Sequence, residues 1–156
     1  MQKKIIVSIL FAVGLISACH KKAMKQLINK NNTTVATISD LSEIKNIIID
    51  PKINMMDTGA SYNIDSMKVN ADILSVFVNY SGGCKTHSFD LYSNGAYAKS
   101  LPPQASLSLK HVSNGDACRQ LIVQELKFNI SKLKYSGQNT VIVELGNTQP
   151  VYYISK

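Results

Sequence analysis

The chain has no tryptophan, four phenylalanines and three cysteines in 156 residues. Acidic residues are also scarce, ten against seventeen basic ones. With so few large aromatics, a small domain gains little from its core, and a covalent staple becomes a large share of a total stability of about 5–15 kcal/mol. No apolar run reaches the roughly 20 residues that a membrane-spanning helix needs. Phosphate-cradling and dinucleotide-binding glycine patterns are missing. So is the Gly-x-Ser-x-Gly order of a nucleophile elbow: "SGG", "TGAS" and "YSNGAY" read as turns. The carboxylates Asp65, Asp72, Asp90, Asp116, Glu125 and Glu144 are scattered at spacings that select no acid–base pair. No residue is assigned a catalytic role, no cofactor is expected, and the chain reads as a non-enzyme.

The positive charge sits at one end. The chain is formally +7; setting aside Lys3 and Lys4 leaves +5, and setting aside Lys21, Lys22, Lys25 and Lys30 leaves +1. A nucleic-acid reader carries its positive charge on the folded face, so no nucleic-acid partner is expected. The early lysines either solvate a linker or lie beside an anionic lipid surface, where each contributes about 1 kcal/mol of attraction.

The front end has its own pattern. Lys3 and Lys4 precede fourteen uncharged, mostly apolar residues from Ile5 to Ala18, and Cys19 follows at once. This is the layout of a secretory signal peptide. Leu15, Ile16, Ser17, Ala18 and Cys19 resemble a bacterial lipobox. That resemblance implies diacylglycerol on the Cys19 sulfur, cleavage before Cys19 and acylation of the new amino end. Two or more acyl chains give stable anchoring. His20, rather than aspartate, follows the cysteine, which by the same resemblance implies the outer membrane. "HKKAMKQ" lacks the acidic cluster that sends some lipoproteins to the cell surface, so the body is expected to face the periplasm, with surface display as the alternative.

The expected organisation is therefore a signal peptide over residues 1–18, a tether over 19–57 and one folded domain over 58–156. "NKNNTTVATISD" is polar and unperiodic. "SDLSEIKNIIID" fits either a short helix, with Asp40 and Glu43 at capping-box spacing, or a β-branched strand. From about Ser61 alternation takes over. "YNIDSMKV", "ADILSVFVNY", "HSFDLYS", "ASLSLKHV", "ELKFNI", "TVIVEL" and "VYYIS" read as seven short strands separated by turns. The second is apolar on both faces, which predicts a central strand. The fold class expected is all-β, an immunoglobulin-like antiparallel β-sandwich of about seven strands. Tyr92, Tyr97, Tyr152 and Tyr153 read as ordinary sheet residues, with a binding face as the alternative.

One constellation carries chemistry. Pairing "HSFDLYS" with "ASLSLKHV" so that Phe89 faces Leu109 sets His87 opposite His111 on the apolar face. Cys84 and Cys118 lie just past the same end of that hairpin, with Asp116 beside them. One reading is a Cys84–Cys118 disulfide, favoured by the oxidising compartment and by the even count once Cys19 is lipidated. It would contribute roughly 3–4 kcal/mol. A second is a zinc or copper site on Cys84, His87, His111 and Cys118, a chemically legitimate tetrahedral set at a spacing unlike common zinc fingers. A third leaves free thiols. The disulfide is the expectation and the metal set the alternative; the histidines are otherwise half-buried, hydrogen-bonded sheet residues with coupled titration.

"GGCKTHSFDLY", then "LPPQASLSLKHVSNGDAC" and "LKFNIS", resemble a family of small secreted NigD-like lipoproteins. They share Gly-Gly-Cys-x-x-His-x-Phe-x-Leu and a later His and Gly-Asp-x-Cys. The resemblance spans roughly Tyr80 to Leu133 and implies a β-sandwich and an envelope address, but no activity. The function expected is a membrane-anchored, disulfide-stapled binding or structural module, its partners the membrane and an envelope protein or glycan.

Overall fold

The computed structural model describes residues 43–155. The signal peptide, Cys19 and its lipobox, and the tether lysines lie outside the described residues. β-Branched and aromatic residues in alternation build two sheets. The first has the order β1 (Ile44–Asn46), β7 (Gln120–Asn129), β4 (Ile73–Gly82), β3 (Asn63–Asn70). The second has the order β2 (Ile48–Ile49), β5 (Ser88–Ala98), β6 (Gln104–Val112), β8 (Thr140–Leu145), β9 (Val151–Ile154). A 3-10 turn, Ser131–Leu133, links β7 to β8. Among the described residues no helix is long and apolar enough to cross a membrane.

All seven expected strands are present, and the apolar set of each faces the other sheet. Leu74, Val76 and Val78 from β4 pack with Leu91, Leu107, Leu109, Val141 and Val143 from the second sheet in one core. β4, apolar on both faces in sequence, is flanked by β3 and β7; its outward Phe77 is covered by the Lys68 ammonium, 4.8 Å from the ring centre.

Three features differ from the sequence reading. First, the sheets are mixed. β6 and β8 pair in parallel because the intervening β7 belongs to the other sheet. Second, "IKNIII" takes the strand alternative, and its two short strands belong to the sandwich, which begins at Ile44 rather than at residue 58. β1 runs parallel to β7 and β2 parallel to β5. Ile47, between them, passes from one sheet to the other, fully buried, its N–H donating to the Asn129 carbonyl at 3.0 Å. Third, the β5–β6 register is shifted by two residues: Phe89 faces His111 and Leu91 faces Leu109. A two-residue shift leaves every side chain on its expected face, so alternation alone does not distinguish the two registers.

The edge strand β3 carries one irregularity. Its pairing with β4 runs Ile64 to Val78 and then Ser66 to Phe77, so Asp65 is an extra, bulged residue.

Candidate functional site

The connections β4–β5 and β6–β7 both cross between the sheets at the same end of the sandwich. Cys84 in the first and Cys118 in the second form a disulfide, with their Cα atoms 5.9 Å apart. Asp116, two residues before Cys118, turns back to accept hydrogen bonds. Its Oδ1 takes the Cys118 N–H at 2.9 Å, and its Oδ2 takes the N–H groups of Cys84 and Lys85, each at 2.9 Å. These bonds, that of Cys118 foremost, hold the Asp116 carboxyl well below the usual carboxylate range against the opposing effect of burial. One carboxylate thus ties both loops together beside the disulfide.

The same Oδ2 lies 3.2 Å from His87 Nε2, and both side chains are almost wholly shielded from solvent. His87 Nδ1 in turn lies 2.7 Å from His111 Nε2, and His111 Nδ1 lies 3.2 Å from the Ala60 carbonyl oxygen. His87 and His111 therefore meet, as their shared parity predicts. They do so across a diagonal, His87 standing just before β5.

The proton count of this chain follows from the chemistry of its ends. The ionised Asp116 only accepts, so His87 Nε2–H donates to it. The Ala60 carbonyl only accepts, so His111 Nδ1–H donates to that. The two nitrogens left, 2.7 Å apart, would both be bare lone pairs if the rings were neutral. One further proton must lie between them. The pair then carries one positive charge, balanced by Asp116. A second charge is disfavoured: burial, first, and the neighbouring His87 hold the His111 titration below the ordinary histidine range, against the raising effect of its hydrogen bonds to backbone at Ala60 and Ser61.

Aromatic rings enclose the pair. Phe89 stacks on His111 with centroids 4.2 Å apart and planes 5° from parallel. Tyr80 stacks on His87 at 4.7 Å, and Tyr62 meets His111 edge-on at 5.9 Å. Gly82 makes the close approach possible: a Cβ there would lie 2.6 Å from His87 Nε2 and 3.3 Å from Asp116 Oδ2. That gives the Gly-Gly-Cys stretch a steric reason. The sequence did not reveal Tyr62, Tyr80 or the Ala60 carbonyl as parts of the cluster, since they lie on other elements.

The four donors of the metal alternative do not surround one point. Cys84, Asp116 and Cys118 each place a donor atom within 4.8 Å of the others, but the thiols are bridged, and His87 and His111, bonded to each other, fall outside that group. A separate groove lies between β3 and β9, lined by residues 58–67 and the β8–β9 turn.

No family model matches this sequence, and no curated protein does. Among solved structures, the fold is similar to a NigD-like immunity protein from Bacteroides caccae, with a TM-score of 0.52 and 12% identity over 70% of this chain and 58% of that one. A protein of unknown function, DUF1344, from Bacteroides vulgatus gives a TM-score of 0.49 and 18% identity over 71% of this chain and 55% of that one. The chain thus spans less than two thirds of either structure, and the first likeness shows a shared β-sandwich fold.

Proposed function

We propose that this chain is a membrane-anchored envelope lipoprotein whose stapled β-sandwich serves as a non-enzymatic binding module. The observation that carries the non-enzymatic part is the closed hydrogen-bond chain Asp116–His87–His111–Ala60. Every imidazole nitrogen in it is engaged, and the carboxylate already serves four donors. A general base must reach a substrate proton; these groups are turned toward one another and sealed under aromatic rings. Their role is to lock the two inter-sheet loops at one end of the domain. The anchor rests on the lipobox-like residues Leu15–Cys19, and the outer-membrane, periplasm-facing address on His20 and the basic residues after it. The immunity role in the name of the Bacteroides caccae protein is that protein's own; at 12% identity it is not carried over.

Intact mass of the protein extracted from bacterial envelopes tests this reading. A diacylglycerol thioether and an amide-linked acyl chain on Cys19, and no free thiol, are expected. A Cys19→Ser variant is expected in the soluble fraction. A lipid-free mature amino end overturns the anchor, and two free thiols overturn the staple. Protease treatment of intact cells separates the two orientations: a protected body supports the periplasm, a cleaved one the surface.

A second reading is favoured by the donor atoms of Cys84, Asp116 and Cys118 lying within 4.8 Å of one another. With the disulfide reduced, the two thiols would be free to turn toward His87 and His111 and hold zinc or copper with them. One equivalent of metal in protein as purified, lost in a His87→Ala, His111→Ala double variant, would place this reading first.

A further inference from the structure

β3 and β9 are the edge strands of their two sheets, and a groove of about 860 Å³ runs between them. That volume is in the upper range of small-ligand sites. Its partly buried surface mixes apolar Ile64, Met67 and Val151 with Tyr62 and Thr148, while exposed Asp65, Asn147 and Gln149 carry polar groups along it. Among the described residues that line it, none is Lys, Arg or His, and Asp65 is the lone carboxylate.

This lining discriminates between ligand classes. A phosphate, an acidic peptide or a polyanion would find no cation. A divalent cation needs about six oxygens, and Asp65 already spends Oδ1 accepting from Asn79 Nδ2 at 2.6 Å. A wholly apolar ligand would bury the amides without partners. An extended peptide could add to the free edge of β3, but the bulge at Asp65 breaks the register that strand addition requires. What remains is a neutral chain with adjacent hydroxyls along its edges and C–H groups on its faces. Amides and a carboxylate pair with adjacent hydroxyls, each offering two bonding atoms.

The walls are also held in place. His111 N–H donates to the Thr58 carbonyl and Ala60 N–H to the His111 carbonyl, both at 2.9 Å. Tyr62 Oη–H donates to the Leu109 carbonyl at 2.5 Å. Gly59, at φ 73°, lies against the His111 carbonyl where no Cβ fits. Across the groove, Thr148 donates to the Leu145 carbonyl from its Oγ1 at 2.8 Å and its N–H at 3.3 Å. A site fixed before binding loses less entropy on binding.

We propose that the β3–β9 groove binds a neutral oligosaccharide. The proposal rests on the reading of the sandwich as a binding module and names its ligand class and its site. Full-length protein in a zwitterionic detergent without a sugar headgroup is titrated with maltoheptaose, cellohexaose, xylohexaose and mannohexaose, and separately with oligogalacturonate and a neutral extended peptide. Amide chemical shifts report the site. At least one neutral glycan is expected to move amides of residues 58–67 and 147–151. An Asp65→Ala, Asn147→Ala double variant with unchanged melting temperature is expected to bind it about tenfold more weakly, some 1.4 kcal/mol. Shifts from oligogalacturonate or the peptide alone, shifts mapping elsewhere, or none with any neutral glycan overturn the proposal. None of these results depends on Cys19, so loss of the anchor reading and loss of the groove are told apart.

Discussion

A single buried proton distinguishes the His87–His111 pair from two ordinary sheet histidines. Because Asp116 and the Ala60 carbonyl fix the outer ring protons, the pair holds one charge and resists a second. The sign of the pH effect follows. The folded-state titration of His111 is depressed, so below the unfolded histidine value of about 6.5 the unfolded chain binds a proton the folded chain refuses, and stability falls with pH. Asp116, also depressed, adds a further loss once pH drops below about 3.9, the unfolded carboxylate value. The urea midpoint at pH 5 is expected below that at pH 6.5, and the difference is expected to shrink in a His111→Gln variant, whose amide does not titrate. At the same scale, Gly82→Ala drives a Cβ into the His87 ring, and overpacking of this kind costs about 1–3 kcal/mol. Urea unfolding of the variant measures it. The parity of His87 and His111 was legible from period-two alternation. The proton between them was not, because it depends on Ala60 and Asp116, contributed by loops whose course no periodicity encodes.

Among the elements, the two inter-sheet connections matter most. The disulfide joins residues 34 apart in sequence, and on the chain-entropy model its removal costs about 3–4 kcal/mol. A Cys84→Ser, Cys118→Ser double variant is expected to show this loss in chemical denaturation. The hydrogen bonds of Asp116 to both loops are expected to keep the variant folded, with its amide spectrum largely retained. A spectrum collapsed to random-coil shifts would mean that the bridge, not the carboxylate, holds the loops. The strands themselves were readable because most of the seven alternate and turn residues separate all of them. The β5–β6 register was not, since a two-residue slip preserves every face. Ile44–Ile49 gave an ambiguous signal for a different reason: a strand that changes sheets midway buries only its pivot, Ile47, and shows neither period over a useful length.

For the molecule as a whole, Ile47 is where the chain fastens both sheets together. Its side chain is fully buried and its N–H reaches the last residue of β7. Ile47→Ala is expected to cost about 2–5 kcal/mol and to loosen β1 and β2 together. Hydrogen exchange at Lys45 and Ile48 is expected to accelerate in step if the two short strands form one cooperative unit. The all-β class could be read from the sequence. Mixed pairing could not, because it depends on which sheet each strand joins, a choice made by connections rather than by strands. The bulge at Asp65 bears on how neighbouring copies meet. Proteins held in one membrane plane collide far more often than proteins free in solution, and an open strand edge then invites fibre-like stacking. A kinked border interrupts the ladder such stacking needs, so under the proposed anchor the β3 border would resist extending its sheet into a neighbouring copy.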